Sequence, residues 1–307
     1  MKHVFVINPV AGKSLAEKEL LPKINKIQET LDVEIETYIT KGFLDAEKFV
    51  RSRSQTGEDI RYYACGGDGT LNEVINGAYG YDNVEVGVIP IGTGNDFIKT
   101  FTNQSYFSDL ERQIKAEPMV VDLMDYNGRL CANVCNIGFD SEVADKIATL
   151  KTYPLVGGHM AYGMGILQQF FKKMGEIFRI ELEDGEIIEK EMLLIAVGNG
   201  SFYGGGFMAL PLASRVSEVL DICIVKKISR LQFISLIKDY KKGKHTENPK
   251  FKDCVIYRKS KFINIRGVKD FKLCVDGEIS IAREVRLKIA PKALKFSVPE
   301  GCELIKS

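Results

Sequence analysis

The sequence predicts an α/β domain built on a parallel sheet, followed by an antiparallel, β-sandwich-like domain, with a cleft between the two. Strand-like and helical runs alternate through roughly the first 120 residues, the pattern of a parallel sheet with crossover helices. Two of those strand-like runs end directly in glycine-rich turns, Gly66-Gly67-Asp68-Gly69-Thr70 and Gly92-Thr93-Gly94-Asn95-Asp96. After about Met124 the alternation gives way to short runs of strand character. No flexible linker marks the change, so the domains are expected at residues 1–124 and 125–292, with about 293–307 packing back on the first.

Val4 to Ile7 opens the chain as a strand, followed by a helix from about Ser14 to Leu31, a strand from Val33 to Ile39 and a helix from about Leu44 to Arg53. Ile60 to Cys65 is the next strand, and its glycine turn leads into a helix starting near Thr70, a good N-cap residue. Val84 to Ile89 reads as a buried strand whose turn, through Phe97, runs into another helix. In the second domain the strand candidates are Cys131 to Ile137, Ile187 to Val197, Val219 to Val225, Phe262 to Ile265, Phe271 to Val275 and Val285 to Ile289. Helices are expected at Ser141 to Leu150, His159 to Met174 and Leu231 to Tyr240.

With 307 residues, 45% of them hydrophobic, the chain has ample material for buried cores. Its 42 basic and 41 acidic residues leave a formal charge of +1, so no field of one sign steers it toward nucleic acid. Seven scattered cysteines with no Cys-x-x-Cys pair read as reduced core thiols. Val4 to Ile7 is too short a run for a signal peptide, and no uninterrupted apolar stretch is long enough to cross a bilayer. A cytoplasmic location is the expectation. The histidines His3, His159 and His245 form no metal-ligand pattern, and no catalytic triad is evident.

In open α/β sheets ligands gather beyond the carboxyl ends of the strands. Three loops are expected there: Asn8 to Lys13, Gly66 to Thr70 and Gly92 to Asp96. Glycine lets the backbone approach a phosphate closely, and a helix beginning at the loop presents N–H groups that attract anions. A nucleotide is therefore the expected ligand, with Asp68 orienting it or holding a divalent cation. Gly12-Lys13-Ser14 reproduces the end of a Walker A loop, but the position of that loop's first glycine is Ile7. Lys13 is thus left open between a place near phosphate and a solvated helix start. Taken alone, Asp276-Gly277 reads as a hairpin turn.

With these residues the chain resembles the diacylglycerol kinase catalytic-domain family, specifically bacterial soluble lipid kinases related to sphingosine and ceramide kinases. The resemblance spans nearly the full length and rests on five motifs in order: Asn8-Pro9-Val10-Ala11-Gly12-Lys13, Gly66 to Glu73, Gly92 to Phe97, Gly243-Lys244-His245-Thr246 with Pro249, and Asp276-Gly277-Glu278. It implies transfer of the γ-phosphate of ATP, with Mg²⁺, to a hydroxyl of diacylglycerol or a related lipid. It implies ATP contacts at Asn8, Pro9, Val10, Ala11, Gly12, Thr40, Gly66, Gly67, Asp68, Gly69, Thr70, Leu71, Asn72 and Thr93. Asp68 is implied as a catalytic residue and Mg²⁺ ligand, and Asp276 or Glu278 as acceptor of the hydroxyl proton, Glu278 being preferred. The implied partner is a lipid at the membrane surface, hence peripheral association with the inner face of the membrane. A homodimer is compatible with the sequence, which does not fix the oligomeric state.

One segment departs from the family. Many relatives carry an Asp-Asp-Gly segment before a strand, some of whose groups hold a structural magnesium. Here that stretch runs Ser214 to Asp221, and the aspartate position is Ser217, with Glu218 beside it. A hard cation prefers carboxylate oxygen, so Ser217 weakens that site and Glu218 could compensate only in part.

Two further stretches keep alternative readings. Leu155 to Lys173, apolar and glycine-rich, is an acyl-chain groove, an interfacial helix or a core helix, the core helix being favoured. Lys238, Lys241, Lys242, Lys244, His245 and Lys250 form either a docking surface for an anionic membrane or a solvated face. Competing with the lipid kinase are a soluble-metabolite kinase such as NAD kinase, whose family shares the Gly-Gly-Asp-Gly-Thr loop, and a non-catalytic nucleotide- or lipid-binding protein. The Asp-Gly-Glu and Gly-Lys-His-Thr motifs favour the lipid kinase over the first, and the presence of Asp68, Asp276 and Glu278 argues against the second.

Overall fold

A computed structural model describes residues 1–14, 16–150 and 174–305. The side chain of Lys13, the apolar stretch from Leu155 to Lys173 and, but for Met174, the helix expected at His159 to Met174 lie outside the described residues. The chain divides into two units: Met1–Leu123 together with Ala290–Lys306, and Met124–Ile289.

In the first unit β1 (Lys2–Ile7) pairs in parallel with β2 (Ile35–Ile39) on one side and β3 (Ile60–Gly66) on the other, and β3 pairs in parallel with β4 (Val84–Pro90). Phe296, near the end of the chain, extends the order by pairing in parallel with Val86. Strands covered on both faces read as unbroken apolar runs. Val4-Phe5-Val6-Ile7 and all of β3 are accordingly buried. The connecting helices are α1 (Ala11–Ser14), α2 (Ala16–Thr30), α3 (Asp45–Ser54), α4 (Asp68–Ala78) and α5 (Leu110–Ile114). Gly77 lets α3 and α4 touch, since a Cβ there would lie 2.7 Å from the Glu47 carbonyl oxygen.

Three expectations in this unit are corrected. Helix α4 starts at Asp68, so Thr70 sits inside the first turn and Gly67 is the N-cap. The helix expected after the second glycine turn is a single 3₁₀ turn, Phe97–Thr100, because Phe97 and Phe101 turn inward to pack with Phe107 and Phe296. β2 starts at Ile35, Val33 being held in a turn by its N–H donating to Leu31 O.

The second unit is antiparallel throughout. Its strands are the end of β5 (Glu117–Tyr126), β6 (Arg129–Cys131), β7 (Val134–Gly138), β8 (Glu176–Leu182), β9 (Ile187–Gly198), the short pair β10 (Phe202–Tyr203) and β11 (Phe207–Met208), β12 (Leu220–Lys226), β13 (Val255–Ser260), β14 (Phe262–Val275) and the start of β15 (Glu278–Val298). Two long strands change partner along their length. β9 pairs with β8 up to Met192 and with β7 from Leu194, while β14 pairs with β8 through Ile263–Gly267 and with β7 through Leu273–Val275. The four strands therefore wrap around one apolar filling that includes Ile137, Phe178, Ile195, Ile265 and Leu273. Alternate residues face a second cluster, where Phe139 of α6 (Phe139–Leu150) and Phe233, Leu236 and Tyr240 of α7 (Arg230–Lys241) pack on Val134, Ala196 and Cys223.

The predicted strand from Cys131 to Ile137 is two strands, β6 and β7, broken where the N–H groups of Ala132 and Asn133 turn toward the Asp276 carboxylate. The predicted strands Phe262 to Ile265 and Phe271 to Val275 are one, with a shift of register between Arg266 and Phe271, and Val285 to Ile289 is the middle of β15. All seven cysteines are free, and all but the partly buried Cys254 are buried. No helix among the described residues is long and apolar enough to cross a membrane.

Candidate active site

In the first unit the three expected loops meet at the carboxyl ends of β1, β3 and β4. The Asn8 N–H donates to Cys65 O, and its side-chain amide donates to the Thr70 hydroxyl at 3.1 Å. Both the Ile91 and Gly92 N–H groups donate to Gly66 O. Asp68 closes the set, one carboxylate oxygen accepting from the Asp96 N–H at 2.7 Å and the Phe97 N–H at 3.3 Å. The aspartate proposed for ligand or cation is thus also the clasp between two loops. Thr40 follows β2 and donates its N–H to Ile7 O, which puts it beside the end of β1.

The glycines divide into two kinds. A Cβ on Gly66 would lie 2.3 Å from the Thr70 hydroxyl oxygen of its own loop, one on Gly92 2.5 Å from the Gly67 Cα, and one on Gly94 2.7 Å from the Asp68 carboxylate, so the turn into α4 excludes a side chain at the first and the crossing of the two loops excludes one at the others. Gly12 holds a left-handed φ of 58° against Ile91. Gly69 is different: nothing lies within 4 Å of its added Cβ, and it stands exposed in the first turn of α4. Its N-cap, Gly67, has no side chain to bond the N–H groups of that turn. An uncapped helix start with open space at a glycine fits a phosphate chain approaching the backbone. Val10, 73% exposed, and the exposed Thr93 border the same loops. The described residues hold no group of three or more His, Cys, Asp or Glu side chains that could by themselves bind a metal ion.

Neighbouring motif residues serve the scaffold. Glu73 accepts from the N–H groups of Leu44 and Ala46 and so fastens the start of α3, while the buried Asn72 receives the Asn76 side-chain amide. Leu71 is core. A cavity of about 570 Å³ lies between the end of α2 and the start of α5, lined by Lys23, Lys26 and Asp109 among others. It is at the opposite end of the sheet from the loops, because α2 runs back to where β2 begins.

In the second unit Asp276 and Gly277 form the two-residue turn between β14 and β15, with Val275 paired to Glu278. Their φ values of 47° and 93° are both positive, as a type I′ hairpin requires. Asp276 points inward, accepting from the N–H groups of Ala132 and Asn133 and from the Cys131 thiol at 3.1 Å. Burial and this carboxylate push the Cys131 thiol well up from its ordinary pKa. The Glu278 side chain is exposed and makes no hydrogen bond or ion pair with the described residues. The turn and the carboxylate come from the same residues, so the hairpin reading and the site reading are both satisfied.

A residue without an assigned role supports this turn. Arg215, only 1% exposed, donates to Ala132 O at 2.6 Å and to the Asn133 side-chain oxygen at 2.7 Å, gripping from behind the dipeptide whose N–H groups hold Asp276. Gly198 and Gly200 leave room for it: a Cβ on either would strike Asn133, at 2.2 Å and 2.9 Å. The only sequence signal was that Arg215 stands in the segment that departs from the family. In that segment Ser217 donates to Ser214 O, Glu218 takes a left-handed φ of 57°, and Asp221 is fully buried against the Tyr257 hydroxyl and Lys259. Burial raises Asp221 to about 6, and Asp140, buried beside the Tyr203 hydroxyl, likewise to about 6. His245 of the Gly-Lys-His-Thr motif is buried against Tyr240 and Cys223, and burial lowers it to about 4.

Residues 2–126 match the diacylglycerol kinase catalytic domain, and residues 133–298 match the YegS C-terminal NAD kinase beta sandwich-like domain. A diacylglycerol kinase of Staphylococcus aureus (strain NCTC 8325 / PS 47) is 30% identical over 278 residues, covering 89% of this chain and 84% of that protein. A crystal structure described as a diacylglycerol kinase from Bacillus anthracis str. Sterne superimposes with a TM-score of 0.72 at 21% identity, over 99% of this chain and 98% of that one. An NAD kinase from Archaeoglobus fulgidus in complex with ATP shares the fold more distantly, with a TM-score of 0.51 at 12% identity over 97% of this chain and 94% of that one.

Proposed function

Because the chain belongs to the diacylglycerol kinase catalytic-domain family, we propose that it transfers the γ-phosphate of ATP to a hydroxyl of diacylglycerol or a related lipid. The observation that carries this reading is the meeting of three βα loops around an uncapped helix start with open space at Gly69. Phosphoryl transfer asks the protein mainly for positioning and charge stabilisation. Backbone N–H groups at the start of α4 hold phosphate oxygens, and Asp68 keeps the Gly92 to Asp96 loop in place beside them. Mg²⁺ bound with the nucleotide supplies neutralisation of the phosphate charge.

Glu278 takes the hydroxyl proton. Its carboxylate is free to do so, whereas Asp276 is committed to two backbone N–H groups and a thiol. General-base help of this kind contributes on the order of 10²- to 10⁴-fold. The two carboxylates of one turn thus divide the work, one fixing its shape and the other acting.

The test is transfer of label from γ-labelled ATP with Mg²⁺ to diacylglycerol, mixed membrane lipids or NAD, followed by separation of organic and aqueous products. Label in the organic phase, reduced by roughly 10²-fold or more in Glu278→Gln with nucleotide affinity unchanged, is the expected outcome. Label on NAD would replace this reading with a soluble-metabolite kinase. ATP binding without transfer to any acceptor would make the protein a binder. Asp276→Asn should lose stability as well as turnover, and equal stability of the two variants would undo the division of labour.

A further inference from the structure

Helix α7 begins with a capping box, the Ser229 hydroxyl accepting from the Gln232 N–H while the Gln232 side chain accepts from the Ser229 N–H. Phe233, Leu236 and Tyr240 form its buried face, spaced three and four residues apart as the helical repeat dictates. The opposite ridge carries Leu231, Ser235, Lys238 and Lys242, flanked by Ile234 and Lys241. Leu231 is 82% exposed and Ile234 51% exposed, and Lys238, Lys241 and Lys242 are exposed. The helix's acidic residue, Asp239, flanks the ridge on the side opposite Lys241 and accepts from the Asn248 side-chain amide, while the Lys241 ammonium lies 5.4 Å from the centre of the Phe207 ring. Lys244, Lys250 and Lys252 continue the basic character beyond the helix, interrupted by Glu247.

Each half of this ridge has an ordinary explanation. Lysines suit a helix C-terminus, and a lone exposed leucine is common. Neither explains why two large aliphatic side chains, one almost wholly exposed, share a ridge with Lys238 and Lys242 and a flanking Lys241, the one flanking carboxylate being taken up by Asn248. That combination matches the border of an anionic bilayer, where aliphatic side chains enter the acyl boundary and lysines meet phosphate.

We propose that the outer ridge of α7, formed by Leu231, Ile234, Lys238, Lys241 and Lys242, docks on the surface of an anionic phospholipid membrane. The inference deepens the lipid-kinase reading, whose acceptor resides in a bilayer. It concerns a surface that takes no part in the chemistry.

The test is sedimentation of the whole protein, without ATP, with vesicles of phosphatidylcholine mixed with phosphatidylglycerol and with vesicles of phosphatidylcholine alone. The protein should pellet with the mixed vesicles, and less so in high salt. The triple change Lys238→Gln, Lys241→Gln and Lys242→Gln should weaken binding on the order of a hundredfold, and Leu231→Ser with Ile234→Ser about tenfold. Both variants should retain transfer to a short-chain diacylglycerol in free solution and lose it only with substrate embedded in vesicles. Wild-type protein that ignores anionic vesicles, or variants that bind them unchanged, would overturn the proposal. So would variants that bind vesicles unchanged but convert a dimer to monomers, which would make the ridge a contact between copies. Vesicle binding without kinase activity toward any lipid would instead count against the proposed reaction while supporting the docking surface.

Discussion

In the first unit the groups assigned to the nucleotide are main-chain N–H groups at βα turns, held by glycines that the crossing of loops requires. In the second the group assigned to the acceptor is one side chain, Glu278, on a hairpin whose partner Asp276 is anchored from behind by Ala132, Asn133 and, through them, Arg215. A phosphate needs many weak donors in a fixed curve, which backbone supplies without committing side chains. A proton acceptor needs one carboxylate with a free lone pair in a fixed place, so rigidity has to come from residues other than the acceptor itself.

The largest test of that contrast removes the anchor. Arg215→Met should cost about 3 kcal/mol of stability in denaturant unfolding, because Ala132 O and the Asn133 side chain are left buried without their donor. A loss below about 1 kcal/mol would mean that the turn holds itself. In the first unit the corresponding pair is Gly66→Ala and Gly69→Ala. The first should destabilise by roughly 2 kcal/mol, since Thr70 must move. The second should leave the melting curve unchanged while raising the KM for ATP roughly tenfold, by crowding the phosphate path. If Gly69→Ala leaves KM unchanged, the phosphates lie elsewhere.

The smallest effect is one of pH. Burial lowers His3, packed on Tyr63, to about 4, below the value of about 6.5 expected for an unfolded chain. Between those values the unfolded chain binds more protons, so stability falls as pH drops through 6.5 toward 4. His245 acts in the same sense in the second unit, but Asp140 and Asp221, raised to about 6, act in the opposite sense. The native state binds more protons there between about 4 and 6, so acidification through 6 stabilises it. His3→Gln should therefore remove about 1–2 kcal/mol of the stability lost between pH 7 and pH 5, measured by thermal unfolding at both values. An undiminished loss in that variant would assign the acid sensitivity to other groups.

The same contrast explains what was legible in the sequence. A βα loop is contiguous: strand, glycines and helix follow one another, so Gly66 to Thr70 and Gly92 to Asp96 declare themselves and their place at the sheet's edge follows from topology. The Asp276 turn was legible as a hairpin and as a motif, but not its support. Asn133, Arg215, Gly198 and Gly200 are brought together by strand pairing across long sequence separations, and an arginine in a polar-looking segment carries no mark of burial. Strand β8, half-exposed with residues such as Arg179 and Glu181, and β13, with Arg258 and Lys259, escaped because they alternate at a sheet surface rather than forming apolar runs. The helix expected after Gly92 failed for a tertiary reason: Phe97 and Phe101 are drawn into an aromatic cluster with Phe296, almost two hundred residues away in sequence.

That long reach has a consequence during synthesis. The edge of β4 is covered by Phe296, and the closure is completed by the Thr102 N–H donating to Glu303 O and the Ile305 N–H donating to Thr100 O. During synthesis residues 1–123 emerge well before the stretch around Phe296, so until then their sheet keeps an open edge at β4, and open edges invite wrong partners. The first unit's sheet therefore depends on residues some two hundred positions further along, and a chain stopped short of Phe296 would carry the Asn8, Gly66 and Gly92 loops on an unfinished scaffold.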